Sequence, residues 1–168
     1  MPDPVRTAVV TGASGAISVA EAAPEDLERT VRTNLVAPLL LLRRLLGLRW
    51  ERPASMVAVG SLSATRPLAG RAVYGGAKAG LEQALRGLAG ELAPRGIAVN
   101  VVSPGVVDTA MIASVRDDVQ AWAEARVPVG RLGRADEVAT VVRFVCLDAP
   151  AYLTGARIPV DAGAEVAP

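Results

Sequence analysis

Residues 6–18, RTAVVTGASGAIS, join an apolar, β-rich run to a turn and a cluster of small residues. The apolar part, residues 7–10, predicts a buried strand, and TGASG at residues 11–15 predicts a turn. Pro24 soon marks the start of a helix, because proline fixes a helical φ at a position that needs no N–H donor. A strand followed by a helix indicates a β-sheet whose strands are connected by helices packed on its faces, which is an α/β fold.

Strands and helices alternate along the rest of the chain. The predicted elements are strands at residues 55–60, 97–102 and 156–163, and helices from Pro24, at 72–92, near 115–125 and within 135–147. The first of these helices contains Pro38, which should kink it. Alternation of this kind predicts one domain with a parallel sheet and right-handed crossovers.

The composition limits the classes of partner. The chain has 168 residues, of which 51% are hydrophobic and only 3% aromatic, so a single core must be built from Ala, Val and Leu. Its 18 basic and 17 acidic side chains nearly cancel, which argues against nucleic acid or an anionic membrane as a partner. The longest apolar run, LVAPLLLL, is far shorter than the ~20 residues of a membrane span, so we expect a soluble protein.

Cysteine and histidine usage narrows the chemistry. One cysteine, Cys146, excludes an internal disulfide framework and fits a reducing cytoplasm, where we expect the protein to reside. The absence of histidine excludes His-containing metal sites and Ser–His or Cys–His nucleophiles, and no metal is expected. Acid–base catalysis would therefore use Tyr, Lys or carboxylates.

Several polar residues are placed where a site could form. Tyr74 and Lys78, in YGGAK, are four residues apart and so project from one face of a helix. Gly75 and Gly76 between them are unfavourable inside a helix unless something approaches it closely. Ser61 ends the preceding strand, at the edge where ligands bind to parallel sheets.

Asn34 lies four residues before Pro38 in NLVAP. Proline lacks the N–H that would bond to the carbonyl of residue 34. We therefore expect this carbonyl to hold a water molecule.

Together these segments resemble the short-chain dehydrogenase/reductase family. The matching segments, in order, are NLVAP, VAVGSLSA, YGGAK, VNVVSPGVVDT, GRLGRADEVA and LTGARIPVDAG. Tyr74 follows Ser61 by thirteen positions and Asn34 by forty, as the family requires. Each segment alone is weakly informative, whereas the ordered set is specific.

The resemblance implies a role for each residue. Tyr74 would be the general acid/base toward a carbonyl or alcohol oxygen, and Ser61 would hydrogen-bond that oxygen. Lys78 would favour the phenolate by its charge and contact the nicotinamide ribose of NAD(P), while Asn34 would hold a water that links Lys78 to solvent.

The resemblance also implies residues that bind the cofactor. The backbone near Val107, with Thr109, would receive the carboxamide end of the cofactor, and Pro104 and Gly105 would belong to the same cofactor site. Gly12 would remain from the glycine-rich turn that binds the pyrophosphate in the family.

The first turn departs from the family pattern T-G-x-x-x-G-x-G. Ala16 and Ser18 occupy the second and third glycine positions, and the strand with a ribose-binding acidic residue about 20 positions further on is missing. From residue 17 the sequence instead matches the helix that the family places after its fourth strand and an N-N-A-G turn. We therefore predict an internally truncated member without the adenosine half of the cofactor site.

The predicted fold is a truncated, Rossmann-like, three-layer α/β domain with about four parallel strands. The strand at residues 7–10 takes the place of the family's fourth strand, next to residues 55–60, and TGASGA takes the place of N-N-A-G. The expected parts of the single domain are a residual glycine-motif strand and turn (7–18), a catalytic core (24–103), a substrate or lid segment (104–134) and a C-terminal helix and strand (135–163).

The missing half-site has two consequences. A dinucleotide would bind weakly or not at all, because the helix N-terminus that holds its pyrophosphate is gone. A sheet face that has lost its covering helices would expose apolar surface to water. Each Å² exposed costs about 25 cal/mol of free energy. We therefore expect a homo-oligomer, or a hetero-oligomer with a longer relative.

Three functions remain open at this level. The chain is an oxidoreductase that uses NAD(P) on a small molecule, or it is a cofactor-free isomerase, dehydratase or cyclase that uses the same four residues. The third alternative is a non-catalytic subunit that docks on a full-length relative through the helices that bear Asn34 and Tyr74.

Overall fold

The sheet of the computed structural model has four parallel strands, in the spatial order β1-β2-β3-β4. The structure describes residues 5–10 and 18–167. The strands are β1 (Val5–Val10), β2 (Trp50–Val59), β3 (Ile97–Pro104) and β4 (Arg157–Val160). The predicted number and direction of strands are confirmed. The turn TGASGA and Gly12 lie outside the described residues.

The position predicted for the first strand is also confirmed. β1 pairs in parallel with β2, with Thr7 opposite Ser55 and Val10 opposite Ala58. β2 begins at Trp50 rather than at residue 55. The indole N–H of Trp50 donates to the carbonyl of Leu45 at 2.9 Å, which brings the start of the strand against the preceding helix.

Five α-helices connect and cover the strands in the described part of the chain. They are α1 (Pro24–Val31), α2 (Ala37–Leu45), α3 (Ala72–Leu92), α4 (Arg116–Arg126) and α5 (Ala135–Arg143). Pro24 occupies the first turn of α1, as predicted, and α3 has the predicted bounds. None of the described helices combines the length and the hydropathy that crossing a bilayer requires.

The segment around Pro38 differs from the predicted kinked helix. Residues Arg32–Val36 form a π-helical turn between α1 and α2, in which the N–H of Ala37 donates to the carbonyl of Arg32. Because Pro38 has no N–H for the carbonyl of Asn34, the regular α-helical pattern cannot continue there. The chain accommodates the proline by widening one turn, a device that is frequent at functional sites.

The core has two layers of apolar contacts, one on each face of the sheet. On one face Met56 and Val99 pack against Leu81 and Leu85 of α3. On the other face Val57 and Val102 pack against the segment after α5. Successive residues of a strand point to opposite faces, so helices on both sides are needed to bury them. The resulting three-layer α/β architecture is the predicted one.

Candidate active site

Three of the four predicted catalytic residues line one cavity of about 320 Å³ at the carboxyl ends of β2 and β3. Ser61 follows β2, and Tyr74 and Lys78 project from the first two turns of α3. The carboxyl edge of a parallel sheet is where ligands bind in open α/β folds. The strand–helix connection therefore brings Ser61 to the same cavity as Tyr74, thirteen positions later, and Lys78, seventeen positions later.

Lys78 is the most constrained of these side chains. It is 1% exposed, its Nζ donates to the carbonyl of Val59 at 2.9 Å, and it lies 5.9 Å from the centroid of the Tyr74 ring. Burial lowers the pKa of Lys78 from 10.5 to about 8, and the nearby Glu82 carboxylate opposes part of this shift. The ammonium is therefore held beside the tyrosine and can lose its proton at mildly alkaline pH.

Lys78 is also the only lysine in the sequence, although lysine and arginine together number 18. All the remaining basic residues of the chain are arginines. A lysine at position 78 alone indicates a place where a compact ammonium fits and a guanidinium would not. This contrast is a signal for the site that can be read in the sequence, independently of the motifs that carry the family resemblance.

Ser61 lies at the start of a short 3₁₀ turn, Leu62–Ala64. Its Oγ accepts a hydrogen bond from the N–H of Ser63 at 3.1 Å. A hydroxyl has one donor and two acceptor positions, so the O–H of Ser61 can still donate to a ligand oxygen in the cavity.

The close approach predicted beside Gly75 and Gly76 is present at only one of them. A Cβ added to Gly75 would lie 2.5 Å from the carbonyl oxygen of Ser63, whereas one added to Gly76 would meet nothing within 4 Å. The 3₁₀ turn therefore packs closely against α3 at Gly75, one residue after Tyr74.

Asn34 is fully buried in the π-helical turn and does not line the cavity. Its Nδ2 donates to the carbonyl of Thr30 at 3.0 Å, within its own helical segment. Leu35 packs beside Gly80, which brings this turn against α3. The water predicted at the Asn34 carbonyl stays a prediction.

The predicted cofactor residues Pro104, Gly105, Val107 and Thr109 line the same cavity. Gly105 also has a reason within the protein: a Cβ there would lie 2.9 Å from the Cα of Asp161, so the C-terminal segment needs a glycine at this position. The residues that the family would use at the nicotinamide end thus share a cavity with Tyr74.

A buried carboxylate behind the cavity was not predicted from the sequence. Glu82 is 6% exposed and lies one helical turn beyond Lys78. Its Oε1 accepts from the Ser103 hydroxyl at 2.7 Å and from the Ser61 N–H at 3.3 Å, and its Oε2 accepts from Arg157 at 3.0 Å. Arg157 in turn contacts Glu165 at 2.6 Å.

The arrangement is suited to proton transfer at an oxygen atom. The cavity contains a phenol, a serine hydroxyl and, beside them, a buried ammonium. A phenol with a neighbouring cation can exchange a proton with a carbonyl or alcohol oxygen that a second hydroxyl holds in place. Among the described residues no group of acidic, cysteine or histidine side chains is arranged to hold a metal ion.

Comparison with known proteins agrees with this geometry. Residues 6–165 match the family model described as enoyl-(acyl carrier protein) reductase. The chain is 39% identical over 140 residues to the 3-oxoacyl-[acyl-carrier-protein] reductase FabG of Escherichia coli, a match that covers 83% of the chain and 57% of that protein. It is 41% identical over 137 residues to the Protein FixR of Bradyrhizobium diazoefficiens, covering 80% of the chain and 48% of that protein.

Solved structures give the same result. The 3-oxoacyl-[acyl-carrier protein] reductase of Brucella melitensis, in complex with NAD, superposes with a TM-score of 0.91 at 27% identity. That match covers 98% of this chain and 69% of the Brucella chain. The chain spans about half the length of the curated relatives it matches. It belongs to the short-chain dehydrogenase/reductase family.

Proposed function

We propose that the chain is an enzyme that acts on a carbonyl or alcohol group of a small molecule, as a nominally NAD(P)-dependent oxidoreductase. The observation that carries the proposal is the single cavity shared by Ser61, Tyr74 and Lys78 on one side and residues 104–109 on the other. Ile112 lines it as well, so we assign the shaping of the substrate pocket to residues 104–134. The single cysteine, which fits a reducing compartment, leads us to place the chain in the cytoplasm.

In this proposal Tyr74 gives its phenolic proton to the substrate oxygen during reduction and takes it back during oxidation. Ser61 holds the same oxygen by donating its hydroxyl proton. Lys78, which is mostly protonated below about pH 8, stabilises the phenolate that forms when Tyr74 gives up its proton. The nicotinamide, when bound, supplies or accepts the hydride.

The residues present fit only part of a dinucleotide. Pro104, Gly105, Val107 and Thr109 lie where the nicotinamide end would bind. At the opposite side, β1 is the edge of the described sheet, and no described strand lies beyond it to carry the adenosine half. We therefore infer weak binding of NAD(P), dominated by its nicotinamide ribose.

This inference predicts how two cofactors compare in a fluorescence titration. NADH and reduced nicotinamide mononucleotide should bind with dissociation constants within about threefold of each other, because the extra adenylate (AMP) half of NADH contributes less than about 1 kcal/mol. The Brucella melitensis reductase, whose structure contains NAD, is the control and should prefer NADH strongly. A preference of about 100-fold for NADH in this chain would contradict the inference.

One observation favours cofactor-free proton transfer as a second candidate. The Lys78 Nζ, which would contact the nicotinamide ribose in the family, already donates to the carbonyl of Val59. The Tyr74–Lys78 pair is thus assembled by the protein alone and could serve an isomerase, dehydratase or cyclase. Failure of both cofactors to bind at millimolar concentration would favour this candidate, or a non-catalytic subunit, over the redox reaction.

We further propose that the chain self-associates through the helices around Asn34. Val36, Leu40 and Leu41 expose 37%, 49% and 44% of their surfaces there, and neighbouring exposed apolar residues are typical of interaction surfaces. Light scattering should show a dimer or larger assembly, and Leu40→Glu should shift it toward the monomer. Leu147→Glu, at a leucine after α5 that is more exposed than Leu40, is the control that should leave the assembly unchanged. A monomeric parent chain would contradict the proposal, and hetero-oligomers with a longer relative would then be tested.

A further inference from the structure

Helix α3 holds the end of β2 with two side chains of opposite charge. Lys78 donates to the carbonyl of Val59 at 2.9 Å, and Glu82, four residues further along the same face, accepts the N–H of Ser61 at 3.3 Å. The two contacts lie on either side of Gly60. A cation therefore binds the carbonyl and an anion binds the amide of the short segment that ends in the candidate catalytic serine.

Gly60 shows how closely this segment is held. A Cβ there would lie 2.2 Å from Oε1 of Glu82 and 2.5 Å from the Ser103 hydroxyl oxygen. The N–H of Gly60 also donates to the carbonyl of Val102 at 2.8 Å. The backbone of residues 59–61 is thus fixed by α3 on one side and by β3 on the other.

Burying a glutamate such as Glu82 costs free energy, which packing alone does not explain. An ionised carboxylate loses its hydration inside a protein, and well-packed apolar residues often stabilise such a position at least as well. Here the Glu82 carboxyl group has a partner of opposite charge: Arg157 contacts it at 3.0 Å, and Glu165 contacts Arg157 at 2.6 Å. Glu82 also lies one helical turn from Lys78, and its negative charge raises the pKa of Lys78, which burial lowers.

We propose that Glu82 is a positioning residue of the acid/base site, which fixes the backbone of Ser61 and keeps the buried Lys78 ammonium charged. The proposal rests on the proposed function, since it assigns Glu82 a role in the same reaction. The charged or titratable groups near Lys78 include Tyr74 and Glu82 on its own helix, Arg71 at the start of that helix in the same cavity, and Arg157 of β4 behind Glu82. Glu82 contacts no reacting atom and acts through its two neighbours.

The direction of the effect follows from the charges. Glu82→Gln keeps an acceptor for the Ser61 N–H but removes the negative charge, so the Lys78 ammonium becomes less stable and its pKa falls below about 8. Arg157→Gln removes a positive charge behind Glu82, so the pKa of Lys78 should rise by a smaller amount. Shifts of opposite sign are expected from the two charges, whereas a general loosening of the packing around Lys78 would give the same sign in both variants.

The single lysine permits a direct test. Protein labelled with ¹³C at lysine Cε gives one lysine signal, and its titration reports the Lys78 pKa without any assay of activity. We expect a decrease of about one pH unit in Glu82→Gln, a smaller increase in Arg157→Gln, and no change in Glu91→Gln, which alters an exposed glutamate of the same helix. Circular dichroism identifies the variants that fold. If only one of the two variants folds, the sign of its Lys78 pKa shift alone supports or contradicts the proposal.

The pH dependence of turnover then links the charge to the reaction. We expect the alkaline limb of kcat to follow the measured Lys78 pKa in each variant, because Tyr74 needs the ammonium beside it. Three results would each overturn the role of Glu82. They are an unchanged Lys78 pKa, pKa shifts of the same sign in both variants, and an alkaline limb of kcat that does not move with the measured pKa. An absence of turnover in the parent chain, with the lysine shifts intact, would instead count against the proposed function.

Discussion

Replacing Tyr74 by phenylalanine is expected to lower turnover by about 100- to 10,000-fold, the usual contribution of a positioned general acid or base. The substitution removes one hydroxyl and leaves the ring in the cavity beside Lys78, so the fold should change little. The measurement is reduction of a β-keto thioester by NADH or NADPH, a substrate chosen because relatives of this chain are 3-oxoacyl reductases.

The second tyrosine of the chain provides a matched control for this result. Tyr152 is 99% exposed and lies outside the cavity, so Tyr152→Phe should retain the parent rate. Equal denaturation midpoints for both variants would separate chemistry from stability. A Tyr74→Phe variant that kept more than about half of the parent rate would remove Tyr74 as the acid/base, since a general acid contributes far more.

Adjacent glycines in α3 should respond to alanine with opposite signs. In Gly75→Ala the new Cβ would lie 2.5 Å from the carbonyl oxygen of Ser63, and a backbone atom cannot move aside as the end of a flexible side chain can. We expect a loss of about 1–3 kcal/mol in the free energy of unfolding, the usual effect of overpacking. Because the displaced turn carries Ser61, turnover should fall as well.

Gly76→Ala is the control for this substitution. It places the same methyl group one residue further along the helix, where nothing lies within 4 Å. Alanine is favoured over glycine in a helix interior by roughly 0.5–1 kcal/mol, so the variant should be slightly more stable than the parent. Urea denaturation of both variants at one protein concentration makes the comparison. Destabilisation of equal size in both would show that helix packing, and not the contact with Ser63, requires the glycines.

The fold was predictable where local patterns are strong. The bounds of α3 follow from its apolar period and from the flanking Pro94, and the place of β1 beside β2 follows from the short connection into α1. The π-helical turn before Pro38 was not predictable, because a proline indicates only that a regular helix cannot continue. How the chain accommodates it depends on packing against α3.

The site was predictable as far as the motifs reach. Ser61, Tyr74 and Lys78 were placed by their order and spacing, and the structure brings them to one cavity. Glu82 was missed because glutamate as a residue type suggests a solvated position, although its spacing of four from Lys78 places it on the same, buried face of the helix. Its partner Arg157 is 75 positions away, and no local period reports a contact at that distance.

The spatial order of the strands is also the order in which they are synthesised. In the described sheet each new strand adds to the open edge left by the one before it, and no described strand must be inserted between two that are already paired. The Glu82 carboxylate, by contrast, is made long before the guanidinium that neutralises it, because Arg157 begins the last strand. The sheet can therefore grow as the chain emerges, whereas the charge balance behind Ser61 is completed only when the final strand arrives.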